Sequence, residues 1–218
     1  MLTAAMAHDE FSNDEPTPPH TMLDTLFGWF PFLKPNNGAT SDSHAVDRGH
    51  LTDHDFRLEF EDIVNENGFD FTSHSVVTED GYILEVFRVK AKETKEGAPV
   101  VFLQHGIVDS ADCWVMNHPD EAPAFVFARE GFDVWLGNSR GTRFSRKHTS
   151  LDPDSWDKDV RRQFFDFSWQ EMTQYDAKSQ LNLVLDQTGK AQVSWIGHSM
   201  GTTQVFYGLA SEEHRAYF

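Results

Sequence analysis

Val-Ser-Trp-Ile-Gly-His-Ser-Met-Gly, residues 193–201, joins a short apolar run to a Gly-x-Ser-x-Gly pattern. The run predicts a strand, and the pattern predicts a sharp turn into a helix that exposes the hydroxyl of Ser199 above a sheet. Side chains at Gly197 and Gly201 would collide where the strand and the helix close together, and glycine has none. We therefore predict that Ser199 is a nucleophile on a strained strand-to-helix turn, a nucleophile elbow.

An earlier strand ends in a second motif. Residues 99–104 are mostly apolar and are followed by His105, Gly106 and Ile107. A tetrahedral oxyanion needs two preorganised N–H donors, and in folds built around such an elbow one donor comes from the loop after this strand. We predict that the backbone N–H groups of Ile107 and Met200 are these donors. We expect His105 to shape the loop rather than to carry a proton.

Composition excludes several partners and sites. The 218 residues carry a formal net charge of −17, and residues 1–62 hold twelve acidic and three basic residues. Nucleic acid and anionic membrane surfaces would repel such a chain. The single cysteine, Cys113, excludes an intrachain disulfide and is expected to be a small buried apolar side chain. We predict neither a cofactor nor a metal.

The N-terminal part predicts little order. Residues 1–55 are rich in Asp, Pro, Ser, Asn and His without periodicity, so we predict a disordered acidic segment ahead of one domain over residues 56–218. The histidines of this segment complete no recognised metal-ligand pattern, and no signal peptide is visible. The apolar run at residues 25–33 is too short to span a bilayer. It is expected to pack on the domain or stay in the tail, with transient contact to a lipid surface as the alternative.

The remaining chain alternates between strand and helix patterns. The spacing of Phe60, Ile63 and Val64 predicts a short helix that Gly68 ends. Asp-Gly at residues 80–81 predicts a hairpin between β-branched runs. The predicted strands cover residues 75–78, 82–89, 100–104, 132–136 and 193–196, and the predicted helices cover residues 122–129, 168–187 and 202–217. Buried strands alternating with helices indicate an α/β sheet.

Six motifs follow one another in the order found in one family. They are residues 77–84 (VTEDGYIL), 103–106 (LQHG), 131–141 (GFDVWLGNSRG), 145–148 (SRKH), 167–172 (FSWQEM) and 197–201 (GHSMG). From about residue 58 onward the chain resembles the acid lipases of the α/β-hydrolase fold, the group that contains gastric and lysosomal acid lipases. The resemblance implies hydrolysis of lipid esters, such as triacylglycerols or sterol esters, through an acyl-enzyme on Ser199. It also implies Ile107 and Met200 as the oxyanion donors.

The resemblance implies further parts that this sequence lacks. Members of the family continue past the elbow through a cap region and strands that carry an acid and a histidine, in the order Ser, Asp/Glu, His. His198 is expected to pack beside the elbow, and His214 to lie fifteen residues after Ser199 on the departing helix, so neither is predicted to be the base. We interpret the chain as an α/β-hydrolase truncated after its elbow and expect it to be inactive as written. The family suggests a secreted or lysosomal protein, but no signal peptide or glycosylation sequon supports a compartment.

Two other functions remain open. The first is a non-catalytic lipid- or protein-binding module that has lost its catalytic residues. The second is another hydrolase of the same fold, such as a thioesterase or a peptidase. Esterase activity that depends on Ser199 would exclude the first, and acyl preference would decide the second.

Charged residues outside these motifs are expected to form ordinary ion pairs. The basic run Arg140, Arg143, Arg146 and Lys147 is expected to pair with nearby acids such as Asp152 and Asp154. Glu171 and Asp176 are expected to face solvent or to pair with arginine rather than to transfer protons.

Overall fold

The computed structural model describes residues 60–218, in which a mixed sheet carries helices on both faces. The segment predicted as disordered, with its apolar run and its histidines, lies outside the described residues. The strands are β1 (Asp70–Val77), β2 (Tyr82–Lys90), β3 (Val100–Gln104), β4 (Asp133–Gly137), β5 (Lys147–His148) and β6 (Ser194–Gly197). The helices are α1 (Phe60–Glu66), α2 (Pro123–Arg129), α3 (Lys158–Phe164), α4 (Trp169–Glu171), α5 (Lys178–Thr188) and α6 (Met200–Ala210). A π-helical turn at Met172–Ala177 joins α4 to α5, and 3₁₀ turns cover Ala111–Trp114 and Arg215–Tyr217.

Three neighbouring strands of the sheet, β4, β3 and β6, are parallel. The strand order is β1-β2-β4-β3-β6, with β5 paired to β2. β3 runs parallel to both β4 and β6, whereas β2 is antiparallel to its neighbours. Gln104 at the end of β3 pairs with Gly137 of β4 and with Gly197 of β6. The loops after these strands therefore meet at one edge of the sheet, and the predicted α/β class is confirmed.

The predicted hairpin is present and longer than expected. Its turn closes where the Thr78 N–H donates to the Tyr82 carbonyl at 2.8 Å, and Gly81 has a φ of 100°, which side chains rarely tolerate. β1 begins at Asp70, five residues before the predicted start. The residues it adds are mostly polar and largely exposed, so they lack the apolar alternation that predicts a strand.

Apolar layers cover both faces of the sheet. β3 and β4 are buried at every position, as their nearly continuous apolar runs predict. One layer joins α1 and α2 to the sheet through Phe60, Val64, Phe125, Val89 and Leu103. The other joins α5 to the sheet through Leu181, Val184, Phe102 and Trp135. None of the helices within residues 60–218 combines the length and the apolar character needed to cross a bilayer.

Two predicted helices differ from the observed ones. The helix predicted over residues 202–217 is α6, which begins at Met200 and ends at Ala210. It ends there because Ser211 adopts an extended backbone and its hydroxyl accepts a hydrogen bond from the His214 N–H at 3.3 Å, which competes with helix continuation. The helix predicted over residues 168–187 contains the π-helical turn, which a period of 3.6 residues does not reveal. The sequence pattern predicts neither α3 nor β5, and both are present.

Candidate active site

Ser199 occupies the sharp turn between β6 and α6. Its φ of 50° and ψ of −114° make it the one non-glycine residue with positive φ among residues 60–218. A Cβ on Gly197 would lie 2.5 Å from the carbonyl carbon of Gly201, and a Cβ on Gly201 would collide with the Gln104 carbonyl oxygen. The two glycines thus let strand and helix approach closely enough to hold a strained serine. Ser199 itself is exposed.

The loop after β3 lies directly against the elbow. A Cβ added to Gly106 would lie 3.2 Å from the Ser199 Cβ. Met200 is the first residue of α6, so its N–H has no acceptor within the helix. Ile107 is exposed next to Gly106, and its N–H makes no backbone hydrogen bond in the part of the chain that the structure describes. The structure therefore brings together Ser199 and the two residues predicted as oxyanion donors.

The imidazole of His105 is buried between two stretches of backbone. Its Nδ1 lies 2.6 Å from the Gly106 carbonyl oxygen, and its Nε2 accepts a hydrogen bond from the Ser139 N–H at 3.1 Å. Burial lowers the pKa of His105, although the Gly106 carbonyl, Asp109 and Asp112 oppose that shift. The ring is therefore neutral at pH 7. Both contacts join His105 to the loops around the elbow.

The segment after β4 is held by buried side-chain acceptors. Three successive backbone N–H groups each donate to a different part of the fold. Asn138 donates to Gln180 Oε1 at 3.0 Å, Ser139 to His105 Nε2 at 3.1 Å and Arg140 to Asp176 Oδ2 at 2.9 Å. This segment, residues 138–140, therefore has a fixed path beside the elbow.

Four buried polar residues of this site were not singled out from the sequence: Gln104, Ser139, Gln180 and Gln204. Ser139 Oγ lies 3.1 Å from Gln104 Nε2 and 3.4 Å from Gln204 Nε2, which ties the segment to the end of β3 and to α6. The sequence did offer one signal for two of them. Gln104 ends one apolar strand, and the pair Asn138-Ser139 follows another apolar strand, so polar side chains stand where the loops after these strands converge. The positions of Gln180 and Gln204 depend on tertiary packing alone.

Arg140 is the centre of a buried ion network. Its side chain is only 1% exposed. It makes a two-point contact to Asp80, with Nη1 to Oδ2 at 2.5 Å and Nη2 to Oδ1 at 3.0 Å, and its Nε donates to Asp176 Oδ1 at 2.8 Å. The guanidinium also lies 4.0 Å from the centroid of the Tyr82 ring. Burial raises the pKa of Asp176, while Arg140 opposes that shift. The predicted pairing of Asp176 with an arginine is confirmed.

Other charged residues differ in part from the predictions. Arg146 pairs with Asp154 at 2.6 Å, as predicted. The prediction that Arg140 pairs with Asp152 or Asp154 was wrong, since nearer carboxylates from distant parts of the chain enclose it. Glu171 is half-buried, and its carboxylate closes a capping box with Ser168 at the start of α4, a contact that the prediction did not name.

The surroundings of Cys113 and Arg143 indicate structural roles and not catalytic ones. Cys113 is half-buried, and burial raises the pKa of its thiol, with Asp109 adding to the rise. The thiol therefore stays protonated at neutral pH, which makes it a poor nucleophile. Arg143 lies 3.5 Å from the carboxylate of Asp112. Within residues 60–218, no three His, Cys, Asp or Glu side chains converge where they could hold a metal ion.

Neither His198 nor His214 is placed as a base for Ser199. His198 is exposed, and its backbone N–H donates to the Gln104 carbonyl at 2.9 Å. His214 is buried beyond the end of α6, with its ring 6.1 Å from that of Tyr207. The eleven residues of α6 make the helix about 16 Å long, and His214 lies past its C-terminal end, whereas the elbow lies at its start. No histidine ring among residues 60–218 forms a hydrogen bond to Ser199 Oγ.

A cleft of about 1120 Å³ opens beside the elbow. Ile107 and Met200 contribute to its lining, so it adjoins both predicted oxyanion donors. Much of its wall is apolar, formed by Ile107, Val108, Val115, Met116, Phe165, Phe167, Trp169 and Met172. Several of these side chains are exposed to solvent at the rim. The cleft has the size and apolar character of a small-molecule binding site.

Comparison with known proteins gives the family. A family model described as a partial alpha/beta-hydrolase lipase region matches residues 60–118, and one described as the alpha/beta hydrolase fold matches residues 99–216. Lipase member K of Mus musculus is 38% identical over 170 residues, which cover 76% of this chain and 41% of the relative. Gastric triacylglycerol lipase of Rattus norvegicus is 42% identical over 148 residues, which cover 66% and 36%.

Among solved structures, an esterase of Pyrococcus furiosus has a TM-score of 0.47 and 17% identity, over 69% of this chain and 48% of that one. The chain spans about two fifths of the length of the curated relatives it matches. The second family model covers more than half of the chain, and the curated relatives are lipases. The chain therefore belongs to the α/β-hydrolase family, and it is similar to lipases over part of their length.

Proposed function

We propose that this chain carries the nucleophile and the oxyanion donors of a lipase that hydrolyses carboxylic esters of lipids, such as triacylglycerols or sterol esters. One observation carries the proposal. Ser199 is held with a φ of 50° at the elbow, and the loop from His105 to Ile107 lies against it. A strained, exposed serine at that position is the arrangement from which α/β-hydrolases attack acyl groups. The similarity to proteins named as lipases supports the substrate class.

The chemistry follows from this arrangement. Ser199 Oγ attacks the ester carbonyl carbon as a general base removes the hydroxyl proton, and the carbonyl electrons move to oxygen. The backbone N–H groups of Ile107 and Met200 stabilise that oxyanion, a contribution of about 3 to 4 kcal/mol for each donor in comparable sites. The intermediate then collapses to an acyl-enzyme, and the alcohol leaves with the proton. Water, activated by the same base, releases the fatty acid.

The general base is the part of this mechanism that residues 60–218 do not supply. His105 has both ring nitrogens engaged with backbone, and His214 lies at the far end of α6. We propose that a histidine and its carboxylate partner outside the described residues complete the site. Without a base the Ser199 hydroxyl is a weak nucleophile at neutral pH.

The cleft is proposed as the site of the lipid substrate. Its apolar walls match a hydrocarbon chain, and Met200 places it beside the elbow. Ile107, Val108 and Met116 expose apolar side chains at its rim. An exposed apolar patch of this kind marks a binding surface. We propose that the rim makes transient contact with a lipid–water interface during substrate uptake.

Covalent labelling tests the proposed nucleophile. The full chain is incubated with an alkyl fluorophosphonate, with and without added imidazole as an external base, and the modified residue is located by peptide mass spectrometry. We expect a single adduct on Ser199 that is absent from Ser199→Ala and that forms faster with imidazole. Labelling that is equal in wild type and Ser199→Ala would contradict the proposal.

The same experiment addresses a binding role. The lack of a histidine at Ser199 Oγ within the described residues favours, as a second candidate, a module that binds lipid without hydrolysing it. In that case a non-hydrolysable fatty ether would bind in the cleft with an affinity that Met116→Glu lowers, while Ser199 stays unlabelled. A labelled Ser199 would exclude this second candidate.

A further inference from the structure

We infer that His105 is a positioning residue whose single tautomer, selected by the Ser139 N–H, sets the direction in which the Ile107 N–H points at the oxyanion. This inference rests on the proposed function, because it concerns the donor that the reaction would use. It assigns a role to the buried segment at residues 138–140, to which the mechanism above gives none.

The partners of the ring fix its tautomer. The Ser139 backbone N–H can only donate, so Nε2 of His105 must be the unprotonated, accepting nitrogen. The Gly106 carbonyl can only accept, so Nδ1 must carry the proton. Both contacts are short, at 3.1 Å and 2.6 Å, and the ring is fully buried. The opposite tautomer would place two donors face to face at Ser139 and two acceptors face to face at Gly106.

The Gly106 carbonyl belongs to the same peptide unit as the Ile107 N–H. A trans peptide is planar, so its C=O and N–H point in opposite directions and turn together. No cis peptide bond occurs among residues 60–218. When Nδ1–H of His105 holds the carbonyl oxygen, it therefore also fixes the direction of the Ile107 N–H. Gly106 lacks a side chain that would resist rotation of this peptide, so an external anchor is needed.

The donor that selects the tautomer is itself held in place. On one side of Ser139, the Arg140 N–H donates to Asp176, and on the other side the Asn138 N–H donates to Gln180. The Ser139 side chain is engaged by Gln104 at 3.1 Å. The contacts thus run without a gap from the π-helical turn to the oxyanion loop. Without the N–H at Ser139, only the Gly106 carbonyl would be left to favour the Nδ1–H tautomer of His105.

Two substitutions at His105 separate the roles of the two ring nitrogens. His105→Asn places an amide NH₂ near the position of Nδ1, where it can donate to the Gly106 carbonyl, but it leaves the Ser139 N–H without an acceptor. His105→Gln places an amide oxygen near the position of Nε2, where it can accept from Ser139, but it leaves the Gly106 carbonyl without its donor. His74→Gln, on the hairpin strand β1, controls for the effect of the substitution type.

The readout is the rate at which the fluorophosphonate labels Ser199 in the full chain, measured beside the unfolding midpoint of each variant. We expect His105→Gln to label at least about tenfold more slowly than wild type, since loss of one oxyanion donor costs 100-fold or more in such sites. We expect His105→Asn to be slowed much less. The reverse order, with Gln faster than Asn, would overturn the inference, because it would show that anchoring Ser139 is what matters. Equal rates in both variants at equal stability would overturn it as well.

A spectroscopic measurement keeps the test independent of activity. Long-range ¹H–¹⁵N spectra of the full chain report which ring nitrogen of His105 is protonated, with assignment by His105→Asn. We expect the neutral Nδ1–H form, and observation of the Nε2–H form would overturn the inference even if Ser199 labels. If Ser199 does not label and the Nδ1–H form is present, the proposed function fails while the assigned tautomer stands.

Discussion

The carboxylate of Asp176 accepts hydrogen bonds from both the side chain and the backbone of Arg140. The Arg140 Nε donates to Oδ1 at 2.8 Å, and the Arg140 backbone N–H donates to Oδ2 at 2.9 Å. Asp80, by contrast, contacts Arg140 only through the guanidinium. The two carboxylates therefore differ in what they hold. Asp80 holds a side chain, whereas Asp176 also holds the main chain beside the oxyanion loop.

This difference predicts unequal effects of two matched substitutions. Asp176→Asn removes a fully buried partner and is expected to lower the free energy of unfolding by about 3 to 5 kcal/mol, as for other broken buried pairs. Asp80→Asn should cost clearly less, because the side chain of Asp80 is partly exposed to solvent. Urea denaturation followed by circular dichroism measures both. A larger loss for Asp80→Asn would contradict the proposed division of roles.

The sequence revealed contacts between residues that lie close together in the chain. Gly197 and Gly201 are four residues apart, and their steric requirement follows from the strand-turn-helix pattern itself. The partners of Arg140 could not be found in this way, since Asp176 is 36 residues away and Asp80 is 60 residues away. Local charge pairing favoured neighbours in sequence. The strand order β1-β2-β4 brings Asp80 to the guanidinium, whereas Asp176 reaches it from the π-helical turn. The pairs were therefore set by topology rather than by spacing.

The contact between Gly201 and β3 predicts a steric defect at the elbow. In Gly201→Ala the added methyl would collide with the Gln104 carbonyl oxygen, a backbone atom that cannot move away cheaply. Gly131→Ala is the matched control, since Gly131 has a φ of 86° but no atom within 4 Å of an added Cβ. We expect the control to lose about 1 to 2 kcal/mol of unfolding free energy from backbone strain alone. Gly201→Ala should lose more and should also stop Ser199 labelling.

Thermal unfolding and labelling on the same samples check this pair. If Gly201→Ala were as stable as Gly131→Ala and labelled at the wild-type rate, the close approach of α6 to β3 would not be a requirement of the elbow.

Burial of neutral His105 predicts a loss of stability in mild acid. Burial lowers the pKa of His105 in the folded state below its ordinary value of 6.5, so the unfolded chain binds the proton more readily. The contribution of His105 to stability is therefore complete above about pH 6.5 and is lost as the pH falls toward the folded-state pKa. Unfolding free energies at pH 7.5 and 5.5 measure this loss, and His105→Gln should reduce it.

A second histidine must be controlled in that experiment. Burial and the nearby Arg88 also lower the pKa of His74. The contribution of His74 to the stability of the fold is therefore lost over the same pH range. The comparison is therefore made in a His74→Gln background. An unchanged pH dependence after His105→Gln in that background would contradict a buried, neutral imidazole at residue 105.

The backbone of Ser199 predicts that the elbow is a site where function is kept at the expense of stability. A non-glycine residue with a φ of 50° and a ψ of −114° stores strain of about 1 to 3 kcal/mol. Ser199→Gly relieves that strain, although glycine also gains about 0.5 to 1 kcal/mol of entropy in the unfolded chain. We expect a net gain of about 1 kcal/mol in unfolding free energy together with complete loss of labelling. Ser199→Ala keeps the Cβ and its strain, so it should lose labelling without gaining stability, and differential scanning calorimetry of the two variants separates the effects. A Ser199→Gly variant less stable than Ser199→Ala would mean that the turn is not strained and that no stability is given up there for the chemistry of Ser199.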